Sequence, residues 1–168
     1  MKNKKLVRGA LLIALALVFQ SIRLFFPLPP QINVYIIGSL VHMMLVLALY
    51  LNNKLTAALL SLLLPLTGFI QGQIALPILI PVVIFGNLVF VELLKLGEKN
   101  KLGLVVAPLC KAICMCMGGY VALKLVGLEN SSIAPVVLFA FSVPQIITGV
   151  LGIIMAKHLL KILPKESF

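Results

Sequence analysis

The chain is a succession of long apolar stretches separated by short polar, glycine-rich or proline-rich segments. Of its 168 residues 62% are hydrophobic, too apolar a composition for a soluble domain of this size. The ~30 Å hydrocarbon core of a bilayer takes about 20 helical residues to cross. No stretch alternates strictly between apolar and polar residues, as the strands of a membrane β-barrel would. The sequence therefore predicts an all-α integral membrane protein, a single domain of six transmembrane helices at about residues 6–24, 33–51, 55–70, 78–94, 103–124 and 135–160.

Basic residues mark one side of these predicted helices. Eleven lie in the N-terminal segment, in the connections after helices two and four, and in the C-terminal segment, whereas only Arg23 and Lys124 lie at the opposite ends. Cytoplasmic segments of membrane proteins carry such an excess of lysine and arginine. The pattern predicts six spans with both termini in the cytoplasm. The net charge of +10 is therefore explained by the orientation of the chain in the bilayer, and it does not indicate a nucleic-acid partner. At the end of helix four, Glu92 and Lys95 are spaced for an ion pair.

One lysine interrupts the fifth apolar stretch near the middle of the bilayer. Lys111 lies about ten residues beyond Lys101, or roughly 15 Å along a helix. On a helical wheel it shares a face with four small residues, Ala107, Cys114, Gly118 and Ala122. Because a lysine at this depth costs ~2.5–3.5 kcal/mol on insertion scales, it needs a partner, and we interpret it as part of a functional site.

Three more polar residues lie at a similar predicted depth on other helices: His42, Asn87 and Gln145. Polar groups in a membrane must find partners. The four side chains either satisfy one another in a polar knot that fixes helix packing, or line a cavity for a polar solute. We favour the cavity because intramembrane ionisable residues usually mark pathways or ligand sites. Lys111 would then pair with a carboxylate or phosphate of the ligand, and Asn87 and Gln145 would orient it through hydrogen bonds.

Two features at the predicted outer ends of the helices allow two interpretations each. The segment from Gln71 through Gln73 to Pro77 is either a gate over an outward-facing pocket or a plain loop. Arg23 either snorkels to the outer interface, which is the more common behaviour, or contacts substrate at the mouth of a pocket. The sequence alone leaves both pairs of alternatives open.

The residue patterns of catalytic and metal sites are missing from the chain. It has no aspartate, no nucleophile-elbow or zinc-protease motif, and no phosphate-binding loop before a lysine. His42 has no second histidine or carboxylate at ligand spacing, so we interpret it as a hydrogen-bonded residue rather than a metal ligand. The sequence predicts a protein that is not an enzyme and has no metal or cofactor. A small solute-handling protein without its own ATPase is expected to work with partners.

Several short motifs resemble those of one family, and the resemblance covers essentially the whole chain. They are a basic start followed by Ala10-Leu-Leu-Ile-Ala14, the pair Gly86-Asn87, Lys111, and Ser142-Val-Pro-Gln145. With six short helices, the chain resembles an S component, the substrate-capture subunit of an energy-coupling factor (ECF) vitamin transporter. By spacing alone, Ala10 and Ala14 are an ordinary packing pair. The resemblance implies instead that they dock a transmembrane coupling subunit, which two ATPase subunits drive.

The resemblance also implies a function and a location. A multi-pass protein of the bacterial plasma membrane would capture a vitamin or related micronutrient in an outward-facing pocket, and would topple in the membrane to deliver it. The substrate contacts expected from the resemblance and the predicted depths are Asn87, Lys111, Gln145, His42, and the loop residues Gln71 and Gln73.

The alternative is a structural membrane protein, similar in size and number of spans to the scaffolds that set bacterial cell shape. The two hypotheses differ in what they predict around Lys111. A binding subunit has a closed polar pocket there. A scaffold has Asn87, Lys111 and Gln145 bonded only to one another, without a void.

Overall fold

A computed structural model gives the fold of residues 2–26, 29–97 and 103–162. These residues form helices and no β-strand, so the all-helical prediction is confirmed for this part of the chain. The seven helices are α1 (Lys2–Phe25), α2 (Pro30–Leu51), α3 (Lys54–Ile70), α4 (Leu79–Leu96), α5 (Gly103–Leu125), α6 (Ile133–Ala140) and α7 (Val143–Ile162).

Five helical stretches are long and apolar enough to cross a membrane: α1, α2, α4, α5, and α6 with α7 taken together. α3 has 17 residues, so it is roughly 25 Å long and shorter than the ~30 Å hydrocarbon core. The chain is therefore a multi-pass membrane protein in which the third predicted span is a short one. The side of the membrane on which each terminus lies stays a prediction. Three of the basic residues behind it, Lys99, Lys101 and Lys165, lie outside the described residues.

The sixth predicted helix, residues 135–160, is two helices rather than one kinked helix. α6 ends at Ala140 and α7 begins at Val143, with a turn between them. Pro144 explains this break because it has no N–H to donate to the carbonyl four residues earlier, which belongs to Ala140. The Ala140 carbonyl therefore needs a donor from a side chain.

α2 is the central helix of the bundle. It contacts α1, α3, α4 and α7, and it packs most extensively against α7. Glycine permits this approach: a β-carbon on Gly152 of α7 would lie 2.5 Å from the Cβ of His42, and one on Gly38 of α2 would lie 2.9 Å from the Thr148 side chain. Membrane helices use small residues in this way to bring backbones together, since lipid supplies no hydrophobic drive between helices.

The apolar core fills one end of the bundle more completely than the other. We call the end where α1, α3 and α5 finish the Arg23 end, and the end where α2, α4 and α7 finish the Lys54 end. Toward the Lys54 end a large cluster joins α1 to α5 and α7 around the fully buried Met44, Leu60 and Phe90. A smaller cluster at the Arg23 end joins α4, α5 and α6.

The Lys54 end also carries an ion pair between two helices. Glu92 of α4 pairs with Lys54 at the start of α3, and not with Lys95 as the helical spacing predicts. The side chains of Glu92 and Lys54 are 45% and 47% exposed. An ion pair this exposed contributes little to stability because water and salt screen it.

Candidate functional site

A cavity of about 640 Å³ lies among the helices in the half of the bundle toward the Arg23 end. All seven helices and the α3–α4 loop contribute to its walls, and it is partly open rather than sealed. Its volume lies in the range of roughly 300–1,000 Å³ that is usual for small-molecule sites. Eight polar side chains line it: Gln20, Arg23, Asn33, His42, Gln73, Asn87, Lys111 and Gln145.

Lys111, His42 and Asn87 form the floor of this cavity, and we call them the floor triad. Lys111 Nζ lies 2.7 Å from His42 Nε2 and donates a hydrogen bond of 2.7 Å to Asn87 Oδ1. His42 Nδ1 lies 2.7 Å from the carbonyl oxygen of Gly38. Because a carbonyl can only accept, Nδ1 carries the proton and Nε2 accepts from the lysine. Each residue of the triad is at most 3% exposed. The structure thus joins three of the four residues that were predicted to share one depth.

Phe90 packs against the floor triad. Its ring centroid lies 5.0 Å from that of His42 in an edge-on arrangement, and 5.6 Å from Lys111 Nζ. An ammonium within ~6 Å of an aromatic face is attracted by the ring electrons. Phe90 is fully buried and belongs to the large apolar cluster, so it separates the polar floor from the core.

Close helix packing positions the triad. A β-carbon on Gly86 would lie 2.5 Å from Met115 Cγ and 3.6 Å from Lys111 Cγ, so α4 and α5 approach each other closely at this point. The next residue along α4 is Asn87, whose amide therefore reaches the lysine. On the other side, Gly152 brings the backbone of α7 against His42. The triad comes from three helices, and each of them takes part in one of these two glycine contacts.

The α3–α4 loop forms one edge of the mouth and is fastened to α1. Gln71 Nε2 donates to Ser21 Oγ at 2.8 Å. Gln73 Nε2 donates to the backbone oxygen of Gln20 at 3.2 Å and to Gln71 Oε1 at 2.8 Å. Arg23 Nη2 donates to the backbone oxygen of Gln71 at 3.2 Å. Of the two predicted loop contacts, Gln73 lines the cavity, whereas Gln71 lies behind it and holds the loop to α1.

Gln145 lines the cavity without joining the floor triad. Its Nε2 donates to the Ala140 carbonyl oxygen at 3.0 Å. This is the carbonyl that Pro144 leaves without a backbone donor. Within the described residues Gln145 makes no hydrogen bond to Lys111, so the predicted group of four is a triad at the floor with one amide higher on the wall.

Gln20 is one of two polar cavity residues that the sequence analysis missed, the other being Asn33. Gln20 is 3% exposed, its Nε2 donates to the Leu64 carbonyl oxygen at 2.9 Å, and its Oε1 accepts from Thr67 Oγ1 at 3.1 Å. A signal was available, because Gln20 is an amide in an apolar stretch and lies three residues before Arg23, on the same helical face. Arg23 itself lies at the mouth of the cavity, as the second of its two interpretations requires.

Ala10 and Ala14 lie on an exposed face of α1, away from the cavity. Leu11, on the same side of the helix, is 66% exposed. The buried face of α1 uses Gly9 and Ala16 instead. Packing within the chain, the interpretation that spacing alone favours, is therefore wrong for this alanine pair.

The chemistry that the cavity offers is the binding of a polar solute. Its buried ammonium and amides can hold a ligand by charge and hydrogen bonds. Among the described residues, no group of three histidine, cysteine or acidic side chains is placed to hold a metal ion. Comparison with family models, curated proteins and solved structures finds no match to this chain.

Proposed function

We propose that this chain is the substrate-binding subunit of an ECF-type importer in the bacterial plasma membrane, and that it captures a vitamin or related micronutrient with an anionic group. The observation that carries the proposal is the cavity of about 640 Å³ with Lys111 at its floor. A buried lysine in a membrane protein is costly and usually marks a functional site. Lys111 lines a space large enough for a small molecule, and the lysine's own contacts in the bundle are neutral side chains.

The cavity also counts against the scaffold alternative. A scaffold requires the polar residues to bond only to one another and to leave no void. Lys111 does bond to Asn87, but Gln145 bonds elsewhere and the space between them is open. A cavity of this size forfeits packing between the helices, a cost that a ligand site explains and a scaffold does not.

The orientation inferred from the basic residues agrees with capture from outside the cell. If both termini lie in the cytoplasm, the Arg23 end faces outward, and the cavity extends from that end to the floor triad near the middle of the bundle. The solute would reach the floor triad from the exterior. Transport would then depend on partners: a transmembrane coupling subunit that docks on the exposed face of α1 around Ala10 and Ala14, and two ATPase subunits. The chain itself would catalyse no reaction.

Thermal unfolding of the full-length protein in detergent, with a panel of water-soluble vitamins, tests the proposal. A ligand present at ~100 times its dissociation constant adds about 2.7 kcal/mol to the stability. We expect at least one compound to raise the unfolding temperature of the wild type, and Lys111→Met to abolish that rise. Lys124→Met is the matched control because Lys124 is exposed at the end of the same helix.

The outcomes separate the two hypotheses. A rise that disappears in Lys111→Met and persists in Lys124→Met supports capture at the floor triad. A rise that persists in both variants keeps the binding function but removes Lys111 from the site. If no compound in a broad panel stabilises the wild type, the binding subunit is the wrong proposal and the scaffold is favoured.

A further inference from the structure

The floor of the cavity offers hydrogen-bond donors and no free acceptor. A lysine ammonium has three N–H groups, and two of those of Lys111 have partners in His42 and Asn87. Since a lysine ammonium cannot accept a hydrogen bond, the atom of Asn87 that faces it is the amide oxygen. The NH₂ group of Asn87 is therefore still able to donate to a ligand. In the part of the chain that the structure describes, neither side chain has a further hydrogen bond. Both nitrogens of His42 are already engaged.

The unused amide group of Asn87 is accessible from the cavity. Asn87 as a whole is only 3% exposed. Its Nδ2 atom, however, is not one of the fully buried side-chain atoms that lack a hydrogen-bond partner. Those atoms, among the described residues, are Asn52 Oδ1 and Glu129 Oε2. Asn87 also lines the cavity, so its free N–H groups can reach a ligand there. One N–H of Lys111 and two of Asn87 are therefore left for a ligand, which must supply acceptors.

The charge of the floor limits which acceptor group fits. The chain has no aspartate, and neither of the two glutamates that the structure describes, Glu92 and Glu129, lines the cavity. Lys111 is the one charged side chain of the floor triad. A ligand group with a single negative charge neutralises it one to one, whereas a doubly charged phosphate would leave a net negative charge near mid-membrane, which is costly to bury. A carboxylate has one negative charge and accepts at both oxygens.

Higher on the walls the hydrogen-bonding character reverses. Gln73 uses its NH₂ group on the Gln20 backbone and on Gln71, and Gln145 uses its NH₂ group on the Ala140 carbonyl. Both side chains line the cavity, and each has its amide oxygen left over as an acceptor. The upper walls therefore suit a ligand that carries N–H or O–H donors. Asn33 and His42 both line the cavity from α2, nine residues apart, so the cavity extends roughly 13 Å along this helix.

Resting on the proposed function, we propose that the ligand is a monocarboxylate with N–H or O–H donors at its other end, and that it binds with the carboxylate inward on Lys111 and Asn87. The carboxylate accepts from the ammonium and the Asn87 amide, and the distal donors bond to the oxygens of Gln73 and Gln145. The positive charge of Arg23 at the mouth attracts the same anion toward the opening.

Pairs of probes that differ only at the carboxylate test this inference: biotin and biotinamide, pantothenate and panthenol, 4-aminobenzoate and 4-aminobenzamide. Binding to the full-length protein in detergent is measured by calorimetry and thermal unfolding. We expect at least one acid to bind roughly 10- to 100-fold more tightly than its uncharged counterpart, the factor that a charge-assisted hydrogen bond supplies. An uncharged member that binds as tightly as its acid, or a cation such as thiamine that binds while all three acids fail, would overturn this inference and the anionic group of the ligand, and would leave standing only the capture of a small molecule by this subunit. If neither these probes nor the wider vitamin panel binds, the proposed function fails and this inference fails with it.

Two variants of one residue make the test specific. Asn87→Asp places a carboxylate beside Lys111, so the protein supplies the negative charge itself and the preference for the acid over the amide is expected to disappear or reverse. Asn87→Leu removes the amide donors without adding charge. It is therefore expected to weaken the binding of the acid, while the protein still prefers the acid to its uncharged counterpart. The readout is a ratio of two affinities in the same variant, so a change in protein stability does not affect it. An unchanged preference in Asn87→Asp would contradict carboxylate binding at the floor.

Discussion

The backbone of α7 touches α2 where Gly152 meets His42. A β-carbon on Gly152 would lie 2.5 Å from the Cβ of His42 and 2.7 Å from the backbone nitrogen of Met43. His42 is the residue whose Nε2 faces Lys111, so this contact fixes one side of the floor triad. The position of the cavity floor thus depends on a residue that has no side chain.

Gly152→Ala is expected to destabilise the protein by about 1–3 kcal/mol, because the new methyl group meets backbone and Cβ atoms that cannot rotate away. Gly118→Ala is the matched control. Its methyl group would meet side-chain atoms of Val82, the nearest at 2.9 Å, rather than backbone atoms. Unfolding temperatures of both variants in detergent give the measurement. Equal losses in the two variants would show that the contact between α2 and α7 is not as tight as described.

Asn87→Leu is expected to lower the free energy of unfolding by about 1–3 kcal/mol, because it removes one of the acceptors of the buried Lys111 ammonium. Lys111→Met leaves Asn87 Oδ1 and His42 Nε2 without their donor. In the double variant both partners of the Lys111–Asn87 bond are apolar. Its free energy of unfolding should therefore fall by less than the sum of the two single-variant losses, the difference being about 0.5–3 kcal/mol. Additive losses would mean that the two residues do not interact.

Ala14→Leu should leave the stability and ligand binding of the isolated protein unchanged, since the position is exposed. In cells that contain the proposed coupling and ATPase subunits it should abolish uptake, because a larger side chain would keep the proposed partner helix away. Ala16→Leu is the contrasting variant. Ala16 is fully buried, so the larger side chain overpacks the core and costs about 1–3 kcal/mol. If Ala14→Leu supports normal uptake, the exposed alanine face is not the docking surface.

Gln145→Leu is expected to cost about 1 kcal/mol by leaving the Ala140 carbonyl without a donor. Pro144→Ala restores the backbone N–H that a continuous helix would use for this carbonyl. In the Pro144→Ala background the Gln145→Leu substitution should therefore cost less. Thermal unfolding of the four proteins measures the difference. The same cost in both backgrounds would show that Gln145 stabilises the protein by another route.

Glu92→Gln is expected to change the free energy of unfolding by less than about 1 kcal/mol, because the pair with Lys54 is nearly half exposed. The difference from wild type should shrink as the salt concentration rises. Measuring unfolding at low and high salt checks both statements. A large and salt-independent loss would mean that the pair is shielded from water in the folded protein.

The helices of this chain could be predicted because their main determinant is local. Each predicted stretch overlaps an observed helix, and counting residues to mid-bilayer placed His42, Asn87 and Lys111 at one depth, although it placed Gln145 there as well. Length and hydropathy were sufficient for these conclusions. The exposure of Ala10 and Ala14 could not be predicted, because which face of a helix turns outward depends on the neighbours that pack on it.

Contacts between side chains of different helices also could not be predicted from the sequence. The spacing of Glu92 and Lys95 predicted an ion pair on one helix, whereas the observed partner, Lys54, belongs to the neighbouring helix. The role of Gln145 could have been predicted in part. A proline leaves the carbonyl four residues before it unpaired, and this rule alone identifies the Ala140 carbonyl as a group that needs a donor.

The apolar cluster beneath Phe90 has a consequence for how a solute could cross the membrane. From His42 to the end of α2, roughly 13 Å of helix, the bundle is packed with side chains such as Met44, Leu45 and Val46, each 0% exposed. A solute that reaches Lys111 has therefore reached the closed end of the cavity, and it can leave again toward the Arg23 end. Passage to the other side of the membrane would require the whole protein to reorient or its helices to separate. Either change would involve the whole bundle rather than one local gate.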